Sequence, residues 1–180
     1  MRAAKASASS TAAVANNIPL CEVGVTGDIE RVLGQQIRKF FYYHDNSLKP
    51  SYSCTAYTFS EPQVEVAHFE VEYKSSAEID VAALYGIHNY SEAAAQQDAT
   101  RFTIEGVDGE GVTFPLDTNN WTAVWQYPDG TLLITLVVRN SFYVEKISNG
   151  GEIASSITKI FAPKVPQIAA GPSQDLTYYP

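Results

Sequence analysis

Apolar residues change their spacing along this chain, and each change predicts an element. In "TGDIERVLGQQIRKFFYYHDN" they fall at Ile29, Val32, Leu33, Ile37, Phe40 and Phe41. That is the stripe of a helix with one buried face, so a helix is predicted from Thr26 to about His44, with Thr26 or Asp28 as its cap. "SYSCTAYTF" is β-branched and aromatic and predicts a strand. After a turn at Glu61-Pro62, "QVEVAHFEVEYK" alternates at Val64 and Val66, then resumes out of phase at Phe69, Val71 and Tyr73. Such a slip predicts a β-bulge near Ala67-His68.

Ser75 and Glu78 have the spacing of a capping box, which predicts a helix through "AEIDVAALYG". Ser91 opens a second, "EAAAQQDA", unless the two are one helix broken at Gly86. Alternation then returns in "RFTIEGV", "GVTFPL", "WTAVWQY" and "TLLITLVV", with "DGEG" and "PDG" as turns and Pro115 pushing its strand toward a sheet edge. "SFYVEKI" is ambiguous, and "GGEIASSITKIF" places Ile153, Ile157, Ile160 and Phe161 on one face of a closing helix that stops at Pro163. The order predicts an α+β fold: an antiparallel sheet with helices packed on one face, running helix, strands, helix, strands, helix. Residues 1–18 are expected to be a flexible linker or leader, 19–162 a single domain, and 163–180, with four prolines, an extended tail.

Composition narrows the class of partner. Hydrophobic residues make up 45% of the 180, enough for a core. The formal net charge is -8, with no cluster of Lys and Arg, which argues against nucleic acid and against anionic membrane surfaces. The longest apolar run, "TLLITLVV", has the length of a buried strand and no run reaches a bilayer span. The opening "MRAAKASASSTAAVANN" has no acid and lacks the apolar middle of a secretory signal; it reads as a linker or as a transit-type leader.

The two cysteines, Cys21 and Cys54, flank the first predicted helix and sit 33 residues apart. If that helix packs on the strand that carries Cys54, a disulfide is sterically reasonable and implies an oxidising compartment; the alternative is two separate buried thiols. Candidate chemistry is otherwise sparse. No metal-binding or catalytic motif surrounds His44, His68 or His88, which read as surface or helix-end residues, His68 standing out beside the bulge. "GVDGEG" reads as a turn, not a calcium loop. Glu70 and Glu72 alternate with Phe69, Val71 and Tyr73, and so line the solvent side of a strand. Asn89 and Asn120 begin "NYS" and "NWT", which match the glycosylation sequon. Trp121, Trp125 and Tyr127 share one strand face, as core beneath a helix or as a stacking platform, and Tyr178 and Tyr179 are candidate contacts in the tail. No metal, cofactor or catalytic residue is expected.

"PLCEVGVTGDIERVLGQQI" followed by "SYSCTAYTF" resembles the actinobacterial secreted lipoproteins of unknown function. Their pattern is a Cys before a helix ending in Leu-Gly, then a second Cys followed by an aromatic strand, and Cys21, Leu33, Gly34, Cys54 and Tyr57 match it. "TRFTIEGVDGEGVTF", "DGTLLITLVV" and "EIASSITKIF" are similar to the later parts of that pattern, so the resemblance runs over about residues 18–162. It implies an envelope-facing domain tethered by lipid through a flexible linker. Here the chain departs from the family, because Cys21 is preceded by "NNIPL", a poor lipidation signal. The family has no assigned chemistry, so the resemblance implies no catalytic residue.

These readings give a non-enzymatic binding or accessory protein of the cell envelope, extracytoplasmic, with a protein partner in or at a membrane. The alternatives are a carrier of a small ligand or lipid, with its pocket between sheet and helices, and an accessory protein of an organelle lumen.

Overall fold

The structure, a computed structural model, describes residues 19–60, 64–78, 86–139 and 149–180. The leader or linker, the Glu61-Pro62 turn, most of the "AEIDVAALYG" helix and the "SFYVEKI" segment lie outside the described residues.

Two short strands, β1 (Pro19–Leu20) and β2 (Gly24–Val25), pair antiparallel around the turn at Cys21–Val23. Helix α1 (Thr26–Leu33) follows directly. It is eight residues long and does not run to His44. Gly34 turns left-handed at φ 64°, the usual end of a helix. Glu30 then accepts the Ile37 N–H at 2.8 Å, fixing the start of β3 (Ile37–Asp45). Ile37, Phe40 and Phe41 fit the helical period of the sequence, but in "FFYY" the aromatic preference for strand wins. Neither Thr26 nor Asp28 caps α1; Val25 holds the cap position without a side-chain bond.

Strands β4 (Ser51–Ser60) and β5 (Val64–Lys74) complete a three-strand meander with β3. The bulge lies where the phase slip placed it, within a residue: Thr58 opposes Ala67, but Phe59 opposes Glu65. Helix α2 (Tyr90–Ala94) is one short turn capped by Asn89, not by Ser91. A second meander follows, β6 (Thr100–Phe102), β7 (Glu110–Pro115), β8 (Asn120–Gln126) and β9 (Thr131–Val138). β6 takes the edge, so β7 is not the edge strand its proline suggested; Pro115 closes it, where a missing N–H does least harm. Helix α3 (Gly150–Phe161) is the predicted closing helix.

Residues 163–180 are not an extended tail. They form a short helix, α4 (Val165–Ala169), and a strand, β10 (Gln174–Tyr179), that pairs antiparallel with β3. Asn46 ties this return in place, donating to the carbonyls of Ala170 and Gly171 at 3.1 and 2.6 Å.

One antiparallel sheet of eight strands results, in the order β10-β3-β4-β5-β9-β8-β7-β6. The predicted α+β alternation of helices and strands is corrected by this count: among the described residues strand accounts for 44% and helix for 21%, and the helices are short pieces attached to a mostly β structure. Two apolar clusters occupy opposite faces of the sheet. The larger joins Phe69, Trp125, Ile134 and Leu136 to Ile157 and Phe161 of α3 and to Val165 and Ala169 of α4. The smaller sets Val112, Phe114, Val124 and Leu133 against Ile87 and Ala93. On that second face, β10, β3, β4 and β5 carry none of the four described helices; this face, open among the described residues, holds the first candidate site.

Candidate functional site

Alternation along β3, β4 and β5 turns Phe41, Tyr43, Tyr57, His68 and Glu70 away from the helices, because Tyr42, Ala56 and Phe69 point into the larger core. Cross-strand pairing lines up their rings. Tyr178 opposes Phe41, with centroids 5.4 Å apart; Phe41 lies 6.0 Å from Tyr57; Tyr57 lies 6.4 Å from Phe59 and 5.2 Å from His68. The ammonium of Lys39 sits 4.8 Å above the Tyr57 ring, a cation–π contact. An aromatic band therefore crosses β10, β3 and β4 and ends on a histidine of β5.

His68 is not a surface residue. It is 5% exposed, and both ring nitrogens face carboxylates: Nδ1 lies 2.6 Å from Glu65 and Nε2 lies 3.5 Å from Glu70. Burial pulls the imidazole pKa down, but the hydrogen bonds and charges of Glu70 and Glu65 outweigh it and hold the group above its usual value. Glu70 is held low by the same bond. Arg139 approaches Glu65 at 3.7 Å, so one cationic and two anionic side chains surround the ring.

A second cluster lies on the helix-covered face beside the cysteines. Cys21 and Cys54 form a disulfide, with Cα atoms 6.0 Å apart. Cys21 and Glu22 both have left-handed backbones, at φ 50° and 65°, where side chains cost roughly 1–2 kcal/mol per residue. The bridge, the Tyr52 hydroxyl bonded to the Cys21 carbonyl at 2.9 Å, and Lys164 donating to the Val23 carbonyl at 2.5 Å hold the turn in that shape. It delivers the Glu22 carboxylate to two buried partners: the Tyr42 hydroxyl donates to it at 3.0 Å, and His44 Nε2 lies 3.3 Å away. Burial, followed by the bond to Glu22, pushes the Tyr42 phenol well up. His44, read from sequence as a surface or helix-end residue, is 5% exposed, and its buried Nδ1 meets no hydrogen-bond partner among the described residues. A carboxylate thus orients an imidazole, as in acid–base sites, but with no nucleophile bonded to the free nitrogen.

The remaining sequence candidates separate cleanly. Trp125 and Tyr127 are buried, Tyr127 donating to the Ala162 carbonyl at 2.8 Å, and half-buried Trp121 lies under the first residue of α3. They fill the layer between sheet and helix as core. Tyr178 is 62% exposed on the open face, whereas Tyr179 stacks on Phe40 at 4.5 Å on the other. The Asn89 and Asn120 amides donate to Glu92 and Asp117, so both sequons are engaged in local structure. Among the described residues no group of three or more His, Cys, Asp or Glu side chains is arranged to hold a metal, and no helix is long and apolar enough to cross a membrane.

Sequence reasoning missed the Glu22–Tyr42–His44 cluster, although part of it was readable. Tyr42 and His44 share a strand face, and Tyr42 opposes Cys54. A bridge from Cys54 to Cys21 therefore lands the next residue, Glu22, on that pair. No family model matches this chain, and neither does any curated protein or solved structure.

Proposed function

We propose that this chain is a non-enzymatic binding or accessory protein of an oxidising, extracytoplasmic compartment, and that it meets a protein partner at a membrane through the open sheet face. The observation that carries this reading is the aromatic band of Tyr178, Phe41 and Tyr57, with Lys39 above it and Tyr43 exposed beside it. Tyrosine-rich, partly exposed surfaces with a few ionised groups are the usual make-up of a protein contact. The disulfide supports the compartment, since such bonds persist where thiols are not kept reduced.

The test is isolation of the full chain from gently solubilised native membranes, beside a variant carrying Phe41→Ala and Tyr178→Ser. The expected result is a stoichiometric partner with the wild type that is lost with the folded variant. A wild-type chain recovered alone, or a partner retained by the variant, overturns the reading.

A further inference from the structure

The two ends of the eight-stranded sheet are protected unequally. At one end β6 is three residues long and carries Arg101, 3.7 Å from Glu110. A short, charged strand is a common way to keep a sheet edge from pairing with another chain. At the other end β10 is six residues long with one charged side chain, Asp175; its pairing with β3 shifts register between Gln174 and Thr177 and is regular from Thr177 to Tyr179. Two of the six large apolar side chains most exposed among the described residues lie on this strand, Leu176 at 48% and Tyr178 at 62%, and a third, Tyr43 at 44%, lies on the neighbouring β3. Among the described residues nothing pairs with the outer side of β10. A row of unpaired backbone donors and acceptors, flanked by exposed apolar residues, is a template for one more strand.

The β10 sequence, "QDLTYY", is complementary to itself. We propose that two copies of this chain pair through β10, antiparallel, about a two-fold axis at Thr177. In that register Leu176 of each copy opposes the partner's Tyr178, giving two aliphatic–aromatic pairs, and Thr177 opposes the partner's Thr177. Both kinds of cross-strand pair stabilise antiparallel sheets. Asp175 opposes the partner's Tyr179, so the like charges do not meet. The contact is isologous and closes at two copies. It forms one sheet of sixteen strands and sets the Phe41–Tyr178 ring pairs of the two copies side by side on one face. With a net charge of -8 on each copy, long-range repulsion opposes the pairing, so the dimer strengthens as salt screens it.

This goes beyond the binding reading above, and its test does not depend on a partner. Sedimentation of the full chain over a range of concentration and salt is expected to show a monomer–dimer equilibrium that shifts toward dimer as salt rises. Leu176→Lys combined with Tyr178→Lys, both at exposed positions, is expected to weaken the dimer at least about tenfold, with thermal melting unchanged at concentrations where both chains are monomeric. Single cysteines report the register even if that variant folds poorly. Thr177→Cys is expected to give a covalent dimer on mild oxidation or with a short thiol cross-linker, and Leu176→Cys to give far less. A monomer at all concentrations, a dimer indifferent to the two lysines, or equal cross-linking from both cysteines overturns the assignment.

Discussion

At the scale of single residues, each of the two buried histidines faces glutamate carboxylates. His68 binds its proton more tightly in the fold than in the unfolded chain. Its contribution to stability is therefore complete below its ordinary pKa of 6.5 and is lost as pH rises through the higher folded value. Glu70, held low, contributes above its ordinary 4.5 and loses that contribution as pH falls through the folded value. Stability is thus expected to peak in the mildly acid range between them. Urea midpoints against pH check this: His68→Gln should flatten the decline above about pH 6.5, and a variant that declines as steeply as wild type sinks the assignment. Glu22 separates two costs. Glu22→Ala leaves the Tyr42 hydroxyl and His44 Nε2 unpaired while keeping a side chain at φ 65°, an expected loss of roughly 1–3 kcal/mol. Glu22→Gly loses the same bonds but sheds the backbone strain, so it should be about 1 kcal/mol less destabilised. Equal losses would mean that the turn stores no strain. Little of this was legible beforehand. The histidines carried no motif, and their partners become visible only once strand register is known.

At the scale of elements, legibility followed the clarity of the period. The out-of-phase valines in β5 located a bulge, and the spacing of Ile153, Ile157 and Phe161 located α3, because only one structure suits each pattern. The failures have physical causes as well. Ile37, Phe40 and Phe41 fit a helical stripe continued from Ile29, yet a left-handed Gly34 ends the helix and the same residues become β3. The prolines of 163–180 suggested an extended tail, but Pro166 sits in the first turn of α4, where its missing N–H is unneeded. The α3 start offers a test of competing effects. A Cβ on Gly150 would run into the Trp121 ring, whereas one on Gly151 would meet only the Thr113 side chain, at 3.5 and 3.7 Å, ordinary contact distances. Alanine is the better helix former by about 1 kcal/mol, but overpacking costs roughly 1–3 kcal/mol. Gly150→Ala should therefore destabilise and Gly151→Ala should be neutral or slightly stabilising in thermal unfolding. The same sign at both sites would count against the Trp121 contact.

At the scale of the whole molecule, two meanders, β3–β5 and β6–β9, meet along one junction. β5 and β9 pair without a break from Ala67 opposite Val138 to Lys74 opposite Thr131. β8 and β9 also lie between the two apolar clusters, since Ile134 and Trp125 enter one and Leu133 and Val124 the other. Strands packed on both faces open only when the whole fold opens, whereas edge strands open locally. Amide exchange is therefore expected to be slowest in β9, β5 and β8 and fastest in β6 and β10. The disulfide ties the turn after β1 to β4 of the first meander and touches no strand of the second. A 33-residue separation makes its loss worth roughly 3–4 kcal/mol in the chain-entropy picture, a large part of a typical domain's stability of about 5–15 kcal/mol. If the meanders are separable, replacing both cysteines with alanine should speed exchange in β3, β4 and the Glu22 turn, and leave β7 to β9 nearly unchanged. If exchange rises equally in every strand, the β5–β9 junction couples the halves into one cooperative unit, and the bridge stabilises the far meander as much as its own.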